Sequence, residues 1–201
     1  MVDKALRVPK QRLLEPLVKR LGQVSPAFLT LTGLGVGLLA ALIAALGYPW
    51  PALGMWLVNR LIDGLDGELA RFRDTQSDFG GYLDIMADLC VYAALPIGLT
   101  LAQPSASAWF ALAALLGSFY INAGSWMYLA ALLEKRALGA ARRGEKTSIT
   151  MPTGIIEGTE TVVFYTLFLA LPPFFVPLFW TLAILVLVTT VQRLLWAYKT
   201  L

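Results

Sequence analysis

Apolar residues fill most of this chain in long stretches, and short breaks rich in proline, glycine or polar residues separate them. A helix needs roughly 20 apolar residues to cross the hydrocarbon core of a bilayer, and six stretches come close to that length. They cover residues 26–47, 49–71, 79–102, 107–132, 153–171 and 174–197. The pattern predicts an all-α, polytopic membrane protein whose six transmembrane helices form one domain, residues 26–201.

The second and fifth stretches are less apolar than the other four. Their charged residues include Arg60, Asp63, Asp66, Glu68, Glu157 and Glu160. A charge inside a membrane is costly, so such residues usually face a cavity, an ion or a partner. The acids of the second stretch are therefore candidates for a functional site.

Residues 1–25 form a different kind of segment, which is charged and has no long apolar core. Leucine and valine recur there at helical spacing, at Leu13, Leu14, Leu17, Val18 and Leu21. Lysine and arginine occupy the other faces. An amphipathic helix of this kind lies in the membrane interface instead of crossing the bilayer. The alternative is a solvated basic arm.

Composition and charge favour a membrane over nucleic acid. Of 201 residues, 58% are hydrophobic and 14% charged, whereas soluble domains carry about 25% charged residues. The net charge is +3, but the basic residues form no long run, so no nucleic-acid partner is expected. Lysine and arginine concentrate before residue 21 and after the second, fourth and sixth stretches. Because cytoplasmic segments carry that excess, both termini are expected in the cytoplasm.

Four aspartates form two pairs at helical spacing. Asp63 and Asp66 are three positions apart, and Asp84 and Asp88 are four apart, so the members of each pair share a helix face. The short connection 72–78 makes the two helices antiparallel neighbours, which brings all four carboxylates to one depth at the cytoplasmic end. The spacing therefore predicts a single acidic pocket.

The carboxylates of the predicted pocket indicate what kind of ligand it binds. Close carboxylates repel one another and need cations, and hard oxygen ligands suit Mg²⁺ or Mn²⁺. Two such ions would clamp a pyrophosphate. The chain contains no histidine, so acid–base chemistry falls to carboxylates, lysine, tyrosine or cysteine. The structural alternative is an ion-pair cluster of the aspartates with Arg60, Arg71 and Arg73.

A sequence signature runs through the same residues. The stretch Asp63-Gly-Leu-Asp66-Gly67-Glu-Leu-Ala70-Arg71 is followed by eight residues to Gly80, three to Asp84 and three to Asp88. This chain resembles the CDP-alcohol phosphotransferase family, because every fixed position and gap of that family's signature is met. Segment 25–33 is also similar to the family's entry into its first span.

The resemblance implies roles for these residues. Asp63, Asp66 and Asp84 would be metal ligands, and Asp88 would be the general base while also touching a metal. The CDP site would be formed by Asn59, Asp63, Gly67, Ala70, Arg71 and Gly80. The expected reaction transfers a phosphatidyl or other substituted phosphoryl group to an alcohol and releases CMP, in phospholipid biosynthesis. The donor would be CDP-diacylglycerol or another CDP-alcohol.

The resemblance also implies an environment. Family members are commonly homodimers, and this chain is expected as a small bacterial member in the inner membrane, among membrane lipids. A competing hypothesis is a divalent-cation transporter that uses the intramembrane acids. That hypothesis predicts acids at several depths or at mid-membrane, whereas these cluster at the cytoplasmic end.

The polar alcohol acceptor has to be recognised by other residues. The candidates are Glu157, Glu160, Arg142, Arg143, Lys146 and Arg193. Each also has a simpler explanation: acids near a helix N-terminus are favoured by its dipole, loop cations bind anionic lipid, and an arginine near a helix end snorkels. Glycerol phosphate, inositol or its phosphate, serine and a second lipid all remain open as acceptors.

Three lesser features complete the predictions. Asn122 belongs to a polar stripe on the fourth stretch and is expected to hydrogen-bond between helices. Gly33 and Gly37 are expected to serve helix packing. Cys90 lies in an apolar stretch and is expected to pack in the core.

Overall fold

The computed structural model describes residues 14–22, 24–139 and 154–201, and this part of the chain is all-helical. Residues 14–20 are helical (α1). Six longer helices follow: α2 (Pro26–Ala45), α3 (Pro49–Phe72), α4 (Asp78–Ala102), α5 (Ala106–Lys135), α6 (Gly158–Ala170) and α7 (Phe175–Thr200). A short 3-10 helix, Pro172–Phe174, connects α6 to α7. The all-α prediction is confirmed.

Serine side chains start three of these helices. Ser25, Ser77 and Ser105 each accept a hydrogen bond from the backbone N–H three residues later, at 3.2, 3.0 and 3.1 Å. A serine at this position satisfies one of the N–H groups that the first turn leaves without an intrahelical acceptor. The starts of α2, α4 and α5 are therefore fixed by local sequence.

Helices α2, α3 and α5 end in the same way. The residue after the C-cap is left-handed in each, at Gly47 (φ 86°), Asp74 (φ 54°) and Ala137 (φ 54°). The N–H groups of Tyr48, Thr75 and Leu138 then bond back to carbonyls five residues earlier, at 3.2, 3.0 and 2.8 Å. This pair of features is the Schellman motif.

Within the part of the chain that the structure describes, four segments are long and apolar enough to cross a membrane: α2, α4, α5 and Pro172–Thr200. The second predicted span, now α3, has the length but carries the charged residues. The fifth, predicted at 153–171, contains a helix of only 13 residues. Helix α6 begins at Gly158 because Glu157 is its N-cap. Six crossings therefore stay a prediction.

The helices pack as two groups, which are joined by α6 and by a contact of α4 with α5. Helix α2 lies against both α3 and α4, α5 lies against α7, and α6 contacts α3 and α7. Glycines allow the close approach in the first group, as expected for Gly33 and Gly37. A Cβ on Gly37 would lie 2.5 Å from Val91 Cγ2 of α4. The main core is an apolar cluster that includes the stacked Trp56 and Tyr165, whose ring centroids are 5.5 Å apart.

The described part of the amphipathic segment packs on the protein. Leu14 and Val18 are each only 3% exposed and join a cluster with Leu29, Leu65 and Leu69 of α2 and α3. Leu17 remains exposed. Within α1, Lys19 donates to Glu15 at 2.6 Å, which lowers the pKa of the Glu15 carboxyl. Burial of Leu14 and Val18 fixes α1 beside the start of α2.

One prediction about the core is wrong. Cys90 is exposed on the surface of the described chain. Its neighbours Ala87 and Val91 on α4 are buried, so the exposed surface of this helix begins next to its packed face. An apolar stretch of a membrane protein has both a packed and an outward face, and composition alone does not tell them apart.

Candidate active site

A narrow cavity lies between α2, α3 and α4. Its lining residues are Thr30, Gly33, Leu34, Asn59, Arg60, Asp63, Asp66, Ala87, Asp88 and Val91. Three of the four predicted aspartates are among them. The sequence predicts this grouping of acids, but the prediction that α3 and α4 are direct neighbours is wrong. Helix α2 packs against both of them, and the cavity forms where the three helices meet. Asp84 lies one turn nearer the start of α4 and is not in the lining.

Each aspartate in the lining has a defined partner or neighbour. Asp66 is 4% exposed and accepts a 2.6 Å hydrogen bond from Thr30 Oγ1 of α2. Asp88 accepts a 2.9 Å hydrogen bond from Arg60 Nη2. The second nitrogen of that guanidinium, Nη1, lies 3.7 Å from Asp63 Oδ2. The cavity thus holds three carboxylates and one arginine cation.

The donor set fits a divalent cation. Carboxylate oxygens are the ligands that Mg²⁺ and Mn²⁺ prefer, and Asp63 and Asp88 already share a positive group, Arg60. In the described ranges no three acidic, cysteine or histidine side chains are close enough together to hold a metal as a group. The fit therefore rests on two observations: the donors are carboxylate oxygens, and Asp63 and Asp88 already bind one cation together, the Arg60 guanidinium.

Arg60 makes hydrogen bonds through its guanidinium nitrogens and also contacts two aromatic rings. Its Nε donates to Asn59 Oδ1 at 2.8 Å and its Nη1 to Tyr92 Oη at 3.1 Å. Its guanidinium carbon lies 4.6 Å from the centroid of the Trp56 ring and 5.3 Å from that of Tyr92. The predicted ion-pair alternative is thus partly present. Of the three arginines it invoked, Arg60 alone has a described pairing with an aspartate.

The remaining residues predicted for CDP binding divide into two groups. Asn59 lines the cavity with Asp63, and its Nδ2 donates to Gly33 O at 2.8 Å. Gly67, Ala70, Arg71 and Gly80 lie outside the lining, at the last turns of α3 and the first turn of α4. The Arg71 guanidinium covers Gly67 and donates to Glu68 at 2.9 Å.

Comparison with known proteins decides the family. A sequence profile described as CDP-alcohol phosphatidyltransferase matches residues 23–192. The chain belongs to that family. It is therefore a phosphotransferase, and its family carries out phosphatidyl transfer in phospholipid synthesis and depends on divalent metal.

Relatives of this phosphatidyltransferase differ in how much they share with it. The "Inner membrane protein YnjF" of Escherichia coli is 37% identical over the whole chain and 97% of its own length. A CDP-diacylglycerol–serine O-phosphatidyltransferase of Mycobacterium tuberculosis is 32% identical over 37% of this chain and 26% of its own.

Solved structures share the fold of this phosphatidyltransferase. The phosphatidylinositol phosphate synthase of Mycobacterium tuberculosis, crystallised with CDP-DAG bound, has a TM-score of 0.68 at 22% identity, covering 95% of this chain and 92% of the synthase. The same enzyme in complex with manganese and citrate has a TM-score of 0.69, covering 95% and 88%.

The described acceptor candidates of this phosphatidyltransferase lie at the start of α6 and on α7. Glu157 caps α6 and forms a capping box with Glu160, whose Oε2 accepts from Glu157 N at 3.0 Å. Both acids thus take part in helix capping. Arg193 of α7 is 6% exposed and donates to Asn122 Oδ1 at 2.5 Å, which confirms the interhelical role predicted for Asn122. Arg142, Arg143 and Lys146 lie outside the described residues.

Sequence reasoning missed three residues of the site. Tyr92 follows Asp88 by four positions and Trp56 precedes Arg60 by four, so helical spacing could have placed both beside the acids. Thr30 carries no such signal, because its contact with Asp66 depends on how α2 packs against α3. These residues are the immediate partners of the charged groups.

Proposed function

We propose that this protein transfers a phosphatidyl group from CDP-diacylglycerol to a polar alcohol and releases CMP. The observation that carries the proposal is the cavity that Asp63, Asp66 and Asp88 share with Asn59, in a chain of this family. The structurally similar synthase, solved with CDP-DAG bound, supports the choice of donor. The cavity's acids lie on two helices whose signature spacing is complete.

The aspartates have unequal roles in this proposal. Asp63, Asp66 and Asp84 would hold two divalent ions, Mg²⁺ or Mn²⁺, and Asp88 would be a further ligand. The ions would neutralise charge on the pyrophosphate and on the departing phosphate. Asp88 takes the proton from the acceptor hydroxyl, and the oxygen of that hydroxyl attacks the phosphorus nearer the lipid. The P–O bond to CMP breaks, and CMP leaves with that electron pair.

The cytidine side of the donor is bound along α3 and the start of α4. Asn59 lies in the cavity wall, and Gly67, Ala70, Arg71 and Gly80 extend from it toward the α3–α4 connection. The short side chains leave room for the nucleotide near the helix backbone. Because Arg71 covers Gly67, its side chain has to move aside for a nucleotide at that glycine.

The acceptor is recognised at the ends of α5, α6 and α7. Arg193 is a buried cation of α7, and Glu157 and Glu160 lie at the start of α6. The backbone of the preceding segment is fixed to α7, since Ile156 N donates to Thr189 Oγ1 at 2.9 Å. Arg142, Arg143 and Lys146 are proposed to complete the acceptor site.

The setting of this reaction is a bacterial inner membrane. Six helices, α2 to α7, cross it with both termini in the cytoplasm, and two copies form a homodimer. The four segments apolar enough to span a bilayer support this setting, as does the name of the Escherichia coli relative. The acidic cavity then opens toward the cytoplasm, where the metal ions and a soluble acceptor are available.

CMP release tests the proposal. Purified protein is mixed with CDP-diacylglycerol, Mg²⁺ or Mn²⁺ and a panel of alcohols: glycerol phosphate, inositol, inositol phosphate, serine and a lipid alcohol. We expect CMP with one or a few of them, and none after EDTA or in the Asp63→Asn variant. A soluble CDP-alcohol tested in place of the lipid distinguishes the donors. Absence of CMP with every acceptor, together with Mn²⁺ flux in proteoliposomes, would instead support the transporter.

A further inference from the structure

All three nitrogens of the Arg60 guanidinium, which lies beside the acidic cavity, donate hydrogen bonds. Its side chain is 10% exposed. It donates to Asn59 on its own helix and to Tyr92 and Asp88 on α4, and its flat faces lie beside the rings of Trp56 and Tyr92. A planar cation with fixed donors and stacked faces has little freedom to rotate.

The residues that hold Arg60 are themselves held from other helices. Trp56 Nε1 donates to Thr166 Oγ1 of α6 at 3.1 Å, and the backbone carbonyl of Tyr92 accepts from Tyr165 Oη at 2.6 Å. Asn59 is fixed to α2 through Gly33 O. The position of Arg60 is therefore set by α2, α3, α4 and α6 together.

The fixed Arg60 side chain is hydrogen-bonded to Asp88. Arg60 Nη2 donates to Oδ1 of that carboxylate at 2.9 Å, so Oδ2 is the oxygen that Arg60 does not bind. We propose that Arg60 is a positioning residue, which holds Asp88 so that Oδ2 faces the acceptor hydroxyl. The inference rests on the proposed function, since it gives Asp88 the role of base.

Two explanations of Arg60 make different predictions. If Arg60 only neutralises buried acid, any cation of similar length will serve, and lysine will replace it. If Arg60 positions Asp88, the planar fork is needed, because lysine offers a single point charge and cannot bond Asn59, Tyr92 and Asp88 in one plane. Arg60→Lys therefore separates charge from geometry.

The experiment compares steady-state CMP release by the wild-type protein, Arg60→Lys and Tyr92→Phe. Tyr92→Phe keeps the stacked ring and removes only the hydroxyl that accepts from Arg60. We expect kcat to fall by about 10- to 100-fold in Arg60→Lys, the usual range when a supporting partner is lost, and by a few-fold in Tyr92→Phe. The KM for the CDP donor should stay within about twofold of the wild-type value. Mn²⁺ binding, followed by electron paramagnetic resonance, should persist in both variants.

A matched control is Arg20→Lys. Arg20 is an exposed residue of α1 and does not line the cavity. This variant should keep wild-type kcat and KM, which shows that an arginine-to-lysine change is tolerated elsewhere.

The outcomes are distinguishable. Wild-type kcat in Arg60→Lys would overturn the positioning role. This includes the case in which the KM for the CDP donor rises while kcat stays unchanged. If Arg60→Lys does not yield folded protein, Tyr92→Phe decides, and wild-type kcat in that variant overturns the inference. Absence of CMP release from the wild-type protein would instead count against the proposed function itself.

Discussion

Thr30 of α2 donates from Oγ1 to Asp66 Oδ2 of α3 at 2.6 Å, across 36 positions of sequence. Both residues are buried, at 7% and 4% exposed. The hydroxyl fixes the orientation of a carboxylate proposed to bind metal, and outer partners of metal ligands are worth about 10- to 100-fold in metal affinity.

Replacement of this hydroxyl should weaken metal binding. Thr30→Val keeps the shape of the side chain and removes its donor, so we expect the affinity for Mn²⁺ to fall by about tenfold. Thr30→Ser keeps the donor and should bind Mn²⁺ like the wild-type protein. Titration of both variants with Mn²⁺, followed by electron paramagnetic resonance, checks this. Equal affinities in the two variants would show that the hydrogen bond does not orient Asp66 for the ion.

The proposed base is tested by Asp88→Asn. An amide cannot take the acceptor's proton at neutral pH, so we expect kcat to fall by about 10²- to 10⁴-fold, while binding of a CDP donor largely survives. Asp78→Asn makes the same chemical change at the exposed first residue of α4 and should leave kcat unchanged. Turnover and equilibrium binding of CDP-diacylglycerol are measured on both. A parallel loss of donor binding in Asp88→Asn would reassign Asp88 to metal ligation alone.

The grouping of the acids could be predicted from sequence because it depends on local geometry. Asp63 and Asp66 share a face through the helical repeat, and a short connection returns the chain from the same end of the molecule. The packing of α2 against both α3 and α4, which the sequence does not show, then places Asp88 in the same cavity. The role of Arg60 depends on Tyr92 of another helix as well as on Trp56 of its own. No one-dimensional pattern shows which way such a long side chain turns.

The extent of α6 was not predictable from hydropathy. Apolar residues continue outside the helix, at Ile155 and Ile156 before it. The helix starts where Glu157 and Glu160 form a capping box, so the capping spacing locates the boundary better than the apolar window does. Ile156 is buried beside α7 without being helical. A buried non-helical segment and a helical span have the same composition.

The contact between α2 and α4 predicts different effects for two glycines of one helix. A Cβ on Gly37 would lie 2.5 and 2.9 Å from the two methyl carbons of Val91, whereas a Cβ on Gly35 would have no atom within 4 Å. Gly37→Ala forces the two helices apart, and overpacking of this kind costs about 1–3 kcal/mol. We expect lower thermal stability in detergent and lower CMP release, because Val91 lines the same cavity as Asp88.

Gly35→Ala is the matched control for that substitution. It adds the same methyl group to the same helix and should leave both thermal stability and CMP release at or slightly above the wild-type level, since alanine favours helix. Unfolding is followed by circular dichroism in detergent. If both glycine variants melt together with the wild-type protein, the close approach of α2 and α4 is not a constraint on stability.

The three Schellman motifs predict opposite effects of exchanging glycine and alanine. Ala137 occupies the left-handed position at the end of α5 with φ 54°, a conformation that costs an L-residue about 1–2 kcal/mol. Gly47 occupies the equivalent position at the end of α2 with φ 86° and has no such cost. Ala137→Gly should therefore stabilise the protein by up to about 1 kcal/mol, and Gly47→Ala should destabilise it by a similar amount. For a chain of this size, that is roughly 2–4 °C in the melting temperature.

Neither residue lines the acidic cavity, so kcat for CMP release should stay at the wild-type value in both variants. Melting temperatures that move in the same direction in both would show that strain at the helix ends does not limit stability.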